Sequence, residues 1–236
     1  MTRTTSTDPA AALPRLLPLF PLTGSLLLPG SLLPLNVFER RYRNLVEDAL
    51  EAERHIGIIQ PLVPAPDNWP ALEEPPANPR LYEVGCAGRI ESREPQPDGR
   101  FHILLKGVSR FRVMAELPLR RGYRQVQAGY EEFAADLDEP RSVLDPARLL
   151  LALRAFAEAH SLGFDFDLLG ALPGVALLNG LAAALPFGPA EKQALLEAAG
   201  PPAREELLLA LLSMGMGIEG IEPAAPDGRF RPPTVH

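Results

Sequence analysis

Cys86, in the stretch VGCAGRI, is the only cysteine among 236 residues. A thiolate is a strong nucleophile, but it needs a neighbouring base or cation to lower its pKa. His55 and His102 lie in strand-like segments and are the candidate bases. Gly85 and Gly88 flank the thiol, a pattern that equally describes a small residue packed inside a sheet, and packing is the expectation. Lys106 and Ser109 place the two groups of a Ser–Lys dyad three residues apart. In a strand that spacing puts them on opposite faces, so no dyad is expected. His55, His102, His160 and His236 lack metal-ligand spacing, and one cysteine excludes an internal disulfide and a Cys-based zinc site. The pairs Glu73-Glu74, Glu131-Glu132 and Glu205-Glu206 are adjacent carboxylates. They diverge in helix and strand alike, so they read as solvated surface. Neither a metal nor a cofactor is expected, and no catalytic residue.

Residues suited to binding are more prominent. Arg40, Arg41 and Arg43, with Tyr42 between them, form a cationic group that could meet an acidic peptide or a phosphate. Pairs within the helix, such as Arg43–Glu47, are expected to take up most of that charge. A second group, Arg120, Arg121 and Arg124, lies at a turn. Trp69 is the only tryptophan and sits among six prolines in residues 63–80. Tryptophan concentrates binding energy at protein contacts. These residues make the candidate polypeptide-binding set: Trp69, Arg40, Arg41, Tyr42 and Arg43.

The elements that must position them follow from periodicity. Residues 16–35 read as two short strands rich in proline, which should be edges or be interrupted because proline donates no ladder hydrogen bond. Phe38, Tyr42, Leu45, Val46, Ala49 and Leu50 share one face of a helix over about 38–53, with Asn36 as its cap. HIGIIQ is a strand. Residues 63–80 predict a long surface loop. From Leu81 the pattern gives a strand, a turn at Pro97-Asp98-Gly99, a second long strand and a third from Tyr123. Arg110 and Arg112 alternate with Phe111 and Val113, as in a half-exposed strand. Beyond Pro140–Asp145 the period is helical, over about 146–160, 174–185, 190–199 and 202–214. Pro189 begins the third of these helices and Gly200 caps it. The organisation is a flexible tail over 1–13, a β-rich part over 14–140, a helical part over 141–214 and a flexible tail over 215–236.

Composition narrows the function. Net charge is −7, with 16 basic and 14 acidic residues in 1–130 but 7 and 16 in 131–236. An acidic second half opposes nucleic-acid binding. No run approaches the ~18–20 apolar residues that cross a bilayer. The N-terminus lacks a signal-peptide core, so the expected location is the cytoplasm.

Four blocks in order carry a family resemblance: LPLFPL followed by LLPGSLLPLNVFERRYRNLVEDAL; HIGIIQP; LYEVGCAGRIESREPQPDGRFHILLKGVSRFRV; and LLNGLAAALPFGPAEKQALLEAAGPPAREELLLALL. Together they resemble the N-terminal domain of Lon protease over residues 14–214. The third block is similar to that family's G-x-x-G-R-I strand, hairpin and G-x-x-R-F strand. The resemblance implies an α+β fold, a PUA-like β pseudo-barrel followed by a helical bundle. The full protease would continue into an ATPase and a Ser–Lys protease module. The sequence holds no G-x-x-x-x-G-K-[ST] phosphate loop, and Lys106 and Lys192, its only lysines, lie in nothing resembling the protease site. Lys192, in AEKQA, reads as exposed.

The expectation is therefore a stand-alone, non-enzymatic Lon-like domain that binds unfolded or exposed polypeptide segments, as an adaptor or chaperone-like protein working with a protease or chaperone. A PUA-like nucleic-acid-binding module and a cryptic hydrolase built on Cys86 or Ser109 are the competing readings. Oligomeric state is not encoded legibly.

Overall fold

The computed structural model describes residues 12–62, 79–138 and 144–215. They form an α+β protein of two compact units. The first holds residues 12–23, 27–62 and 79–138, the second residues 24–26 and 144–215.

Six strands build the first unit: β1 (Leu16–Pro21), β2 (Leu32–Val37), β3 (His55–Ile59), β4 (Val84–Pro95), β5 (Phe101–Arg120) and β6 (Tyr123–Gly129). Their order is β2-β5-β4-β3-β1-β6, and β6 pairs again with β5, so the ladder of five strands closes on itself. β2 is the edge that proline predicts, but β1 lies between β3 and β6. Its prolines fit because each meets one neighbour only. Pro18 is matched with Gln125 of β6, and Pro21 with Ile59 of β3.

β5 is twenty residues long and serves three neighbours, β2 and β4 along its first half and β6 along its second. A bulge at Val108 separates the pairs Gly107–Gly88 and Ser109–Ala87 and bends the strand. Only glycine fits at 107, since a Cβ there would lie 2.1 Å from the Leu28 carbonyl oxygen. Gly107 exchanges hydrogen bonds with Ser31 and Gly30 (2.8 and 2.9 Å). Just past the bulge, the fully buried Phe111 ring lies against Gly57 and Gly85, where a Cβ would come within 3.0 and 2.6 Å of it. Leu17, Leu19, Ile59, Ala87 and Val126 complete this core.

The bulge also overturns the half-exposed reading of Arg110. Ser109, Arg110 and Phe111 are all buried. A 3-10 helix, Glu131–Leu137, follows β6. Its Asp136 accepts from the Arg110 backbone N–H (3.0 Å), Nε (2.8 Å) and Nη2 (2.8 Å). The Phe133 ring lies 4.8 Å from the same guanidinium.

Helix α1 (Arg40–Glu51) buries Tyr42, Leu45, Val46 and Ala49, an i, i+3, i+4, i+7 stripe. Asn36 does not cap it. That residue stays in the β2 ladder opposite His102, and Glu39 is the N-cap without a side-chain cap bond. The polar face of α1 holds the β5–β6 turn, where Arg121 and Gly122 both have positive φ (46° and 89°). Asn44 donates to the Arg121 carbonyl at 2.9 Å. Arg121 pairs with Glu47 (3.1 Å) and Asp48, Arg120 with Asp48 (3.0 Å), and the Tyr123 hydroxyl donates to Asp48 at 2.6 Å. Burial pushes the Asp48 carboxyl up, but the Tyr123 and Arg121 hydrogen bonds and the nearby cations outweigh it and hold the group below its usual value. Burial and then the Asp48 carboxylate push the Tyr123 phenol up.

The second unit is helical: α2 (Pro146–His160), α3 (Phe166–Gly170), α4 (Gly174–Ala184), α5 (Pro189–Glu197) and α6 (Pro201–Gly215). Asp145 and Asp165 cap α2 and α3 by accepting from Ala147 and Leu168 N–H, both at 3.0 Å. Pro189 opens α5 as expected. Its C-cap is Ala198, with Gly200 two residues on at φ 119°. The tail expectations over 1–11 and 216–236 lie outside the described residues. Leu13 is buried and Gly215 ends α6.

Two outcomes follow. Arg110→Ala leaves the Asp136 carboxylate buried beside no guanidinium, and should cost about 3–5 kcal/mol in urea unfolding, whereas Arg110→Met with Asp136→Leu should cost far less. Asp48→Asn should cost about 1.5–3 kcal/mol at pH 7. Because the folded pKa is depressed, the Asp48 contribution is present above about pH 4, the unfolded value, and is lost as pH falls through the folded value. The gap between wild type and variant should therefore close in unfolding curves taken toward pH 2.

Candidate functional site

The groups that could do covalent chemistry are held apart. Cys86 is buried in β4 opposite Ile58, with its thiol 3.7 Å from the Ala87 carbonyl. His55 is paired with Arg89, three residues further along β4, and His102 with Glu94 near the far end of that strand. Neither imidazole is placed as a base for the thiol. Burial pushes the His55 pKa down, and its Nδ1 lies 2.7 Å from the Glu53 carbonyl. Ser109 is fully buried and donates to the Arg110 carbonyl at 2.9 Å, while Lys106 is exposed.

Lys192 departs from the sequence reading. It is buried, and its ammonium donates to the Gly24 (2.8 Å) and Ala183 (3.0 Å) carbonyls. Burial lowers its pKa. The AEKQA context looks exposed because one of the two carbonyls that hold Lys192, that of Gly24, is distant in sequence. Arg204 is likewise buried, donating to the Leu195 carbonyl (2.8 Å) and Asn179 Oδ1 (3.1 Å). Among the described residues no three His, Cys, Asp or Glu side chains gather as metal ligands.

The α1 cluster divides. Tyr42 is buried and stacks on Phe20 at 4.1 Å. Arg41 binds Glu39 (2.8 Å) and lies over the Tyr42 ring. Arg43 donates to the Gly99 carbonyl (3.0 Å) rather than pairing with Glu47. Arg40 is exposed and makes no hydrogen bond or ion pair among the described residues. The second cluster is used within the fold. Arg120 and Arg121 hold Asp48, and Arg124 binds Glu116 (2.7 Å) and the Pro79 carbonyl (2.6 Å).

A cleft of about 210 Å³ lies between the end of α1 and strands β1 and β6, walled by Pro14, Leu16, Ala52, His55 and Gln125. It is smaller than ligand pockets of roughly 300–1,000 Å³. A different surface suits an extended chain. From Met114 to Arg120, β5 pairs with β6 alone, and Met114 and Leu119 are 63% and 59% exposed. The root of the 63–78 segment is fixed beside this hairpin. Leu62 N–H donates to the Arg80 carbonyl (2.7 Å), Val113 N–H to Glu83 (2.8 Å), and Arg124 holds Pro79. Leu62 is exposed too. Sequence reasoning missed Met114 and Leu119, because alternation alone does not reveal that a strand loses one neighbour halfway. Trp69 lies outside the described residues.

The comparisons with known proteins agree with this architecture. Residues 16–214 match the model of the ATP-dependent protease La (LON) substrate-binding domain. The Lon protease of Anaeromyxobacter dehalogenans is 27% identical over 214 residues, which cover 85% of this chain and 23% of that protein. The Lon protease of Xanthomonas oryzae is 29% identical over 210 residues, 87% of this chain and 24% of that one. This chain thus spans about a quarter of the length of these relatives. A crystal structure of a Lon N-terminal domain protein from Xanthomonas campestris superposes with a TM-score of 0.56 at 30% identity, covering 83% of this chain and 97% of that one. The N-terminal domain of the Mycobacterium avium complex Lon protease gives the same TM-score at 16% identity, covering 86% and 99%, a likeness of fold. With a family match over most of its length and a solved domain of the same extent, this chain belongs to the Lon substrate-binding domain family.

Proposed function

We propose that this protein binds unfolded or exposed polypeptide segments and does no chemistry on them. The observation that carries the reading is the exposure of apolar side chains, Met114 and Leu119 on the β5–β6 hairpin and Leu62 at the root of the segment that bears Trp69. Exposed apolar side chains next to a half-paired strand suit an extended client, which supplies apolar contacts and main-chain hydrogen bonds. The closed ladder supports a PUA-like pseudo-barrel as the frame for this surface. Burial of Cys86 and Ser109, with His55 and His102 paired elsewhere along β4, supports a non-enzymatic role. Arg40 keeps an exposed guanidinium for an acidic residue of the client, Arg41 would have to exchange Glu39 for it, and Tyr42 contributes by packing α1. Work as an adaptor for a separate protease or a chaperone, in the cytoplasm, fits the same reading. No helix among the described residues is long and apolar enough to cross a membrane. A nucleic-acid role is not favoured, since Arg120, Arg121 and Arg124 are engaged by carboxylates within the fold.

Binding should be measured by fluorescence anisotropy with a permanently unfolded reporter, a reduced and carboxymethylated protein, against its folded form. The unfolded form should bind and the folded form should not. Trp69→Ala should weaken binding by roughly 30-fold, the scale of a hot-spot tryptophan, and Met114→Ser with Leu119→Ser several-fold. Equal binding of both reporter forms would overturn the reading.

A further inference from the structure

The helical unit carries an apolar surface of its own. α3 runs antiparallel along α2. The position of a Gly170 Cβ lies 3.8 Å from Leu150 Cδ1, and the Arg154 guanidinium lies 4.0 Å from the centre of the Phe166 ring. α3 buries no residue completely. Leu168 is 64% exposed, Leu172 37%, and Leu151, on the stretch of α2 that meets α3, 72%. A short helix rich in leucine and phenylalanine that adds nothing to the fully buried core is poorly explained by folding alone.

The charges around it select a partner. Residues 144–215 hold four basic and eight acidic side chains, and all four basic ones are occupied. Lys192 and Arg204 are buried on carbonyl and amide oxygens, Arg148 pairs with Glu206 (2.6 Å), and Arg154 lies over Phe166. On the acidic side, Asp165 meets only the Leu168 N–H, and Glu158 and Asp167 meet no cation among the described residues. Around the exposed leucines, Glu158, Asp165 and Asp167 thus outnumber the one nearby cation, Arg154, which keeps its charge over the Phe166 ring, and the local field is net negative.

We propose that the exposed leucines of α2 and α3 dock a polypeptide segment whose apolar residues are flanked by arginine or lysine. The proposal rests on the polypeptide-binding reading and gives it a second surface with a stated charge preference. Apolar burial supplies the affinity, and the carboxylates supply the discrimination.

The test uses the full chain and two fluorescein-labelled peptides of identical apolar residues, one flanked by arginines and one by glutamates. The basic peptide should bind about tenfold more tightly, the scale of one or two favourable charge contacts. Leu151→Ser with Leu168→Ser removes two exposed side chains without touching the core, and should weaken the basic peptide by about tenfold or more. Glu158→Gln with Asp167→Asn should bring the two peptides to equal affinity. Circular dichroism of both variants should match the wild type. Equal binding of the two peptides to the wild type, or an unchanged affinity in the leucine variant, would overturn this surface while leaving polypeptide binding standing. Failure of the wild type to bind both peptides and the unfolded reporter would overturn both.

Discussion

The contact on which the first unit depends is the Phe111 ring against the backbones of Gly57 and Gly85. β5 has to change neighbours halfway along, and a strand that bends loses regular packing where it turns. Phe111 fills that point. It can lie so close to β3 and β4 only because two residues there lack a Cβ. Burying an aromatic ring of this size contributes about 2–3 kcal/mol, and its position also fixes register. A slip of one residue would drive the ring into a side chain. Gly57 of the second sequence block and Gly85 and Phe111 of the third are thus one device, with Gly107 admitting the Leu28 carbonyl at the bend.

Arginine is the second recurring constraint. Arg110 anchors the 3-10 helix, Arg121 and Arg120 fasten the hairpin turn to α1, Arg43 holds the β4–β5 turn through Gly99, and Arg204 joins α4, α5 and α6. A guanidinium offers several donors in a fixed plane, so one side chain can satisfy carbonyls and carboxylates from different elements. Cations engaged in this way are not presented to a partner. Exposed cations such as Arg40, Arg54 and Lys106 are scattered singly along the chain, and this suits polypeptide recognition better than phosphate recognition.

The sequence made the regular elements legible, because each has one periodic face. The α1 stripe, the turn at Asp98-Gly99 and helices α2, α4, α5 and α6 all follow from spacing and punctuation. The departures share a physical cause, which is that a partner distant in sequence decided the outcome. Arg110 looked exposed because Asp136, twenty-six residues on, covers it. Lys192 looked exposed because its acceptors are the carbonyls of Ala183 and of Gly24, the latter from a segment 168 residues away. Asn36 looked like a cap because nothing local showed that β2 continues through Val37. α3 and the 3-10 helix are too short to display a period. Of the candidate site, Trp69 and the arginines stood out by residue type, but Met114, Leu119 and Leu168 are ordinary apolar residues until their exposure is known.

Exposure of apolar side chains opposes solubility, and a fold that keeps Met114, Leu119, Leu151 and Leu168 in water gains nothing from them as a monomer. Each patch alone is small and would hold a client weakly. On the proposed reading, an unfolded client imposes no fixed geometry and could occupy more than one such patch along its length. Two weak contacts on one flexible chain can exceed either alone by about 10²–10⁴ in avidity. A folded protein cannot do this unless its own surface happens to present both segments. On the same reading, modest patches would discriminate in favour of unfolded chains without a pocket that recognises a particular sequence. The acidic field around the second patch adds a bias by charge, and steers basic segments toward it at ionic strengths where the Debye length is still about 8–10 Å.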